Sequence, residues 1–272
     1  MLTAVTLAIR PDFRISQWTC RGDQAAWSEP ESPVDARLVL VRAGRFQRRG
    51  FDGPLDLDPT VGYVAAPGES EHFAHPHGGD RCTSVQLSAQ SWWQLVGEPG
   101  RVRRSAVYVD AELELAHRRL LAAGHHDPDY RLAEDVLQLA VLALRGSGDR
   151  PTPMDDAPSP ADRRLVAMAR AALHDGHPSA CGLFPLASLL GASPYRLSRA
   201  FTRELGVSVT RYRNRIRIGR ALDQLERGER GLADLAAELG FADQAHFSRT
   251  LRQHTGHTPT AVRRMLHRSV PQ

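Results

Sequence analysis

The chain has 272 residues, 42% of them hydrophobic and 24% charged, a globular balance whose length fits about two domains of roughly 150 residues. Its net charge of +4 is uneven: 17 arginines against 20 acidic residues leave −3 over 1–150, and 18 against 11 leave +7 over 151–272. No run approaches about 18 apolar residues, which argues against a membrane span, and the mildly apolar start before Arg10-Pro11-Asp12 lacks the basic flank of a signal peptide.

Residues 10–90 alternate short β-type runs (38–41, 61–64 and 83–87) with turn residues Gly44, Asp52-Gly53-Pro54, Pro67-Gly68 and Gly78-Gly79. This spacing predicts a β-sandwich or small barrel. Two helices are predicted after it. The first, over about 111–123, places Leu113, Ala116, Leu120 and Ala123 on one face and stops at Gly124. The second opens at Pro128 and runs over about 129–145 with Leu132, Val136, Leu139, Ala140 and Leu142 on one face. So apolar a pair either caps the β-domain or pairs with a second copy, and the pattern favours dimerisation.

One cluster in this half has metal-binding chemistry: His72, His75, His77 and Cys82. Imidazole and thiolate suit zinc or another borderline metal. A polar turn with surface histidines is the simpler reading, since the spaced Glu and later His of metal-binding cupins are missing. No metal or cofactor is therefore expected. Arg81 beside Asp80 reads as a structural pair, and Trp18, Trp27, Trp92 and Trp93 as core or dimer surface. The three cysteines, Cys20, Cys82 and Cys181, are too scattered for a disulfide framework, which points to a reducing cytoplasm.

The prolines and glycines of 146–159 read as a linker, dividing a first domain (1–145) from a second (160–270). Beyond it the pattern is helical. Ser159-Pro160 opens a helix to about His174, a short helix at 185–190 stops at Gly191, and Ser193-Pro194 opens another with Leu197, Phe201 and Leu205 inward. A short helix, a glycine turn and a helix with a basic outer face form a helix-turn-helix pattern. It recurs about fifty residues on, with Leu232, Leu235, Ala236 and Leu239, then Gly240, then an Asp243 cap before Phe247 and Leu251. Gly206 and Gly256 close the two second helices. Between the units, 210–227 reads as a long basic helix with Tyr212, Ile216, Leu222 and Leu225 inward.

These segments resemble the DNA-binding domain of the AraC/XylS transcription regulators. The resemblance is carried by Ser193-Pro194-Tyr195-Arg196-Leu197-Ser198-Arg199-Ala200-Phe201, by Arg217-Ile218-Gly219-Arg220-Ala221, by the run from Leu235 to Gln244 with His246-Phe247-Ser248-Arg249, and by Gly256-His257-Thr258-Pro259. It covers about two-fifths of the chain. The first half resembles, more loosely, the cupin-like sensor and dimer domain of the same family. The implied fold is α+β: a small cupin-like β-barrel with two helices, then an all-α domain of two helix-turn-helix units joined by a long helix.

A major groove about 12 Å wide admits one helix, so two such helices can read successive grooves about 10 bp apart. Outward position and resemblance together assign base contacts to Tyr195, Arg196, Ser198 and Arg199 in the first unit, and to Gln244, Ala245, His246 and Arg249 in the second. Arg203 and Arg252 are assigned to phosphates. The expected partners are double-stranded DNA, a second copy of the chain and, as a further candidate, RNA polymerase. The resemblance alone implies an unknown small-molecule effector in the first half. No nucleophile elbow, phosphate loop or zinc-deaminase signature appears, so an enzyme is not expected. The competing reading is a cupin-type metalloprotein, or a metal or redox sensor, with a DNA-binding tail.

Overall fold

The computed structural model describes residues 2–22, 24–97, 105–122, 130–146, 159–228 and 231–267. The chain divides into two compact units, one of residues 1–149 with 264–272 and one of residues 150–263, the boundary falling within the last helix. The expected linker lies almost wholly outside the described residues, as do Ala123, Gly124 and Pro128.

The first unit opens with strands β1 (Leu2–Ile9), β2 (Phe13–Cys20), β3 (Ala36–Ala43), β4 (Phe46–Gly50), β5 (Gly53–Leu57), β6 (Val61–Ala65), β7 (His72–Ala74) and β8 (Asp80–Leu87). Helix α1 (Ala89–Val96), strand β9 (Ala106–Tyr108) and helices α2 (Ala111–Ala122) and α3 (Tyr130–Gly146) follow. A six-stranded sheet runs in the order β1-β2-β8-β3-β6-β9, and a three-stranded sheet in the order β5-β4-β7. All their pairings are antiparallel.

Strand β3 pairs on both sides, with β8 and β6. Its apolar run is uninterrupted because both of its faces are covered: Leu38 and Leu40 join the main core, while Val39 and Val41, one residue out of phase, are also buried. The main core brings Phe13, Ile15, Val85 and Leu87 against Trp92 of α1, Leu113 and Leu120 of α2, and Val136 and Leu139 of α3. Each such side chain contributes about 1.5–3 kcal/mol when fully buried. The helix pair caps the sheet of its own chain, one of the two uses expected for it.

The expected barrel is corrected to two open sheets. Among the described residues β1 and β9 end the larger sheet without pairing to each other, and closure requires those edges to meet. Ion pairs link the smaller sheet to the larger. The fully buried Arg48 of β4 donates from Nε to Glu71 at 2.8 Å and from Nη2 to Glu69 at 2.5 Å, while Arg37 of β3 reaches Glu71 at 3.3 Å. Burial pushes the Glu71 carboxyl up, and the two guanidinium groups pull against that shift.

The second unit is helical: α4 (Pro160–His174), a 3-10 turn (Pro178–Cys181), α5 (Leu183–Leu189), α6 (Pro194–Leu205), α7 (Val209–Arg227), α8 (Leu232–Glu238), α9 (Gln244–Thr255) and α10 (Pro259–His267). Local chemistry sets the boundaries. The Ser159, Ser193 and Ser208 hydroxyls accept from Asp162, Arg196 and Arg211 amides, and the Asp243 carboxylate accepts from the His246 amide at 2.6 Å. Gly206, Gly228 and Gly256 close α6, α7 and α9 in the left-handed region. Inside, Leu197, Phe201, Tyr212, Leu222, Leu225, Phe247 and Leu251 are fully buried. Tyr212 anchors the middle of this unit, edge-on to Phe201 at 5.2 Å, with His174 Nε2 3.1 Å from its hydroxyl.

Candidate nucleic-acid interface

Helices α5 and α6 form one helix-turn-helix unit, and α8 and α9 a second. The first helix of each has 7 residues and the second 12. The turns share a hydrogen-bond plan. Gly191 donates to the Ser188 carbonyl at 3.1 Å and Ala192 to Ala187 at 3.0 Å; Gly240 donates to Ala237 at 3.0 Å and Phe241 to Ala236 at 2.9 Å. Gly191 and Gly240 take φ of 60° and 69°, where a side chain is disfavoured. The second turn is one residue longer: the cap follows its glycine by two positions at Ser193 and by three at Asp243. Helix α7 packs against both α6 and α9.

The residues assigned to DNA lie on the outer faces. Tyr195 is 70% exposed; Arg196, Arg199, Gln244, Ala245, Arg249 and Arg252 are exposed, and Ser198, Arg203 and His246 half-buried. Their engagement differs. Arg199 Nη1 donates to the Tyr195 hydroxyl at 3.1 Å, with the guanidinium 5.5 Å from the ring centre. Arg249 occupies the equivalent place in α9, where Ala245 replaces the tyrosine and supplies no such contact. Arg196 is tied back to α4, its Nε and Nη2 lying 3.1 and 3.0 Å from Asp162 Oδ1. His246 stacks edge-on to Phe241 at 5.4 Å.

Two arginines of the connecting helix hold this framework, a role the sequence reading missed. Arg217 places its guanidinium 3.8 Å from the Phe241 ring centre and donates from Nε to the Leu239 carbonyl at 2.9 Å. Burial, and then Arg213, lower its pKa. Arg220 Nη2 donates to the His174 carbonyl at 2.9 Å, at the end of α4. These partners lie 22 and 46 residues away in the chain, beyond any local spacing signal.

His72, His75, His77 and Cys82 do not gather as one set of donors. His72 Nδ1 lies 3.0 Å from the Ser28 carbonyl, and His77 is exposed. Burial, followed by Asp80 and Cys20, pushes the Cys82 thiol up to about 12, a protonated state unsuited to redox attack. His75 instead meets Asp80, Nδ1 to Oδ2 at 2.6 Å. The expected Asp80–Arg81 pair is absent because neighbouring strand residues point to opposite faces, Asp80 inward and Arg81 to solvent.

The profile of a family described as "Helix-turn-helix domain" matches residues 186–265. The HTH-type transcriptional regulator YbfI of Bacillus subtilis (strain 168) is 36% identical over 93 residues, 34% of this chain and 33% of that protein. The arabinose operon regulatory protein of Escherichia coli (strain K12) is 38% identical over 71 residues, 26% of this chain and 24% of that protein. The matches thus span about a third or less of these relatives' length. A solved structure of ToxT from Vibrio cholerae O395 aligns over 95% of this chain and 100% of its own, at 11% identity and a TM-score of 0.37. The C-terminal region of this chain, over residues 186–265, is thus similar to a helix-turn-helix domain. No described helix is long and apolar enough to cross a membrane.

Proposed function

We propose that the protein is a sequence-specific, non-enzymatic transcription regulator whose helices α6 and α9 enter successive major grooves of duplex DNA. The observation that carries this reading is the duplicated helix, glycine turn and capped helix, with an exposed arginine at the same place in each reader, Arg199 and Arg249. A guanidinium there suits bidentate contact to guanine, and the Gln244 amide suits adenine. Tyr195, Ser198, Ala245 and His246 complete the base-reading set, Ala245 favouring a thymine methyl, while Arg203 and Arg252 hold phosphates. Arg196 joins the set by exchanging Asp162 for a base edge. The first unit, through resemblance to the same regulators, is assigned dimerisation and effector response, with RNA polymerase a further partner. The scattered, unpaired cysteines fit a cytoplasmic setting.

Selection of binding sites from random duplexes with the full chain tests this. Two short boxes about one helical turn apart are expected. Recovery of no sequence by the full chain, and none by residues 159–272 alone, would overturn the reading.

A further inference from the structure

We propose that Cys20, His75 and Asp80 form a binding site for a zinc-class divalent cation in the first unit. One donor atom from each, the thiol sulfur, an imidazole nitrogen and a carboxylate oxygen, lies within 4.8 Å of the other two. In a tetrahedral site, with bonds of about 2.3 Å to sulfur and 2.0–2.2 Å to nitrogen and oxygen, donors sit roughly 3.3–3.6 Å apart. Side-chain rotation of about an ångström therefore closes the set without moving the backbone.

The backbone is already built to hold these groups together. Cys20 ends β2 and Asp80 opens β8, and the two are register partners across the strand pair. His75 follows β7 of the other sheet and exchanges backbone hydrogen bonds with Gln24 at 3.0 and 2.6 Å, which pins it beside the segment leaving Cys20. The turn between His75 and Asp80 lies so close to β2 that a Cβ at Gly79 would come 2.6 Å from the Cys20 carbonyl. The site therefore joins both sheets.

Charge supplies the second argument. Two of the buried carboxylates of the unit, Glu71 and Asp80, are treated differently. Glu71 is met by the guanidinium groups of Arg48 and Arg37. Asp80, its side chain 3% exposed, meets no arginine among the described residues, and its ion-pair partner is His75 alone. Burying a carboxylate is costly unless it is paired, and a dication shared with a thiolate and an imidazole removes that cost. The mixed sulfur, nitrogen and oxygen set selects zinc, or cobalt as its spectroscopic stand-in, over magnesium or calcium. Cys20 enters as thiolate, its proton passing to solvent on binding, and a water completes the fourth position. The site stands independently of DNA binding by the second unit.

The test uses the untagged full chain, reduced and stripped with a chelator, then titrated with Co2+. A thiolate-to-cobalt charge-transfer band saturating at one equivalent and abolished by excess Zn2+ is expected. C20S should remove the band, and D80N and H75Q should weaken binding by more than about tenfold, while C181S leaves it unchanged. X-ray absorption of the zinc-loaded wild-type chain, which needs no variant to fold, should show one sulfur neighbour among nitrogen and oxygen. Absence of the band, its survival in C20S, or a sulfur count other than one overturns the site.

Discussion

The two helix-turn-helix units share a backbone and differ in how far each outer face is committed before DNA arrives. In α6, Tyr195 holds Arg199 and Asp162 holds Arg196. In α9, Ala245 leaves Arg249 without that support, and the half-buried His246 leans on Phe241. A side chain already held in one rotamer loses less entropy on binding, by about 0.5–1.5 kcal/mol per immobilised side chain. On the proposed reading, Arg199 thus meets DNA already positioned, Arg196 first leaves Asp162, and the second unit is the more adaptable reader. The second unit is instead fastened at its turn, where Arg217 stacks on Phe241, the residue after the glycine, which is Ala192 in the first turn.

The sharpest way to break the comparison is to empty one core at a time. Phe201 and Phe247 are fully buried, so F201A and F247A should each cost about 3–5 kcal/mol in urea unfolding of the full chain. Loss of both DNA boxes from either change would show that the readers fold as one body, whereas loss of one box would show that they fold separately. Next come the equivalent arginines. R199A and R249A should each weaken binding to the selected duplex by about 1–3 kcal/mol and relax one base position. Equal loss on unrelated DNA would reassign that arginine to phosphate.

A pH series separates the two units of the chain. Burial, and then Arg42, lower the His117 pKa to about 3, well below its ordinary value of about 6.5. The unfolded chain binds a proton that the folded one refuses. Stability from this group is therefore present above about pH 6.5 and lost as pH falls toward 3, by up to about 1.4 kcal/mol per pH unit. Calorimetry should show the first unit's transition falling through that window, and H117Q should flatten the slope. The smallest effect sharpens the comparison directly. Y195F removes the hydroxyl that holds Arg199 and should weaken binding by about 0.5–1 kcal/mol; A245Y should give Arg249 the same support and tighten binding by a similar amount.

The second unit was legible because its signals are local. The caps Ser193 and Asp243 and the stops Gly206 and Gly256 sit within one turn of the helix ends they define, and four-residue spacing finds Leu197, Phe201, Phe247 and Leu251. In the first unit only β3, β6 and β8 stand out, as short β-type runs. Strand β4 carries Arg48, a wholly buried charge that hydropathy places outside, and sheet closure depends on edges far apart in the chain. The histidine-rich stretch drew notice to His72 and His77, yet the group that gathers around His75 includes Cys20, delivered by the register of β2 on β8. Arg196 looked free for the same reason, its partner Asp162 lying 34 residues earlier.

That last ion pair bears on how such a protein acquires new targets. It is 53% exposed on the arginine side and worth only about 0–1 kcal/mol to stability, yet it fastens a reading position of α6 to α4. A change at 196 leaves Asp162 without this partner, and a change at 195 removes the hydroxyl that holds Arg199. Among the described residues no such tie is found at 244, 245 or 249, so on the proposed reading successive single substitutions there alter the second box alone.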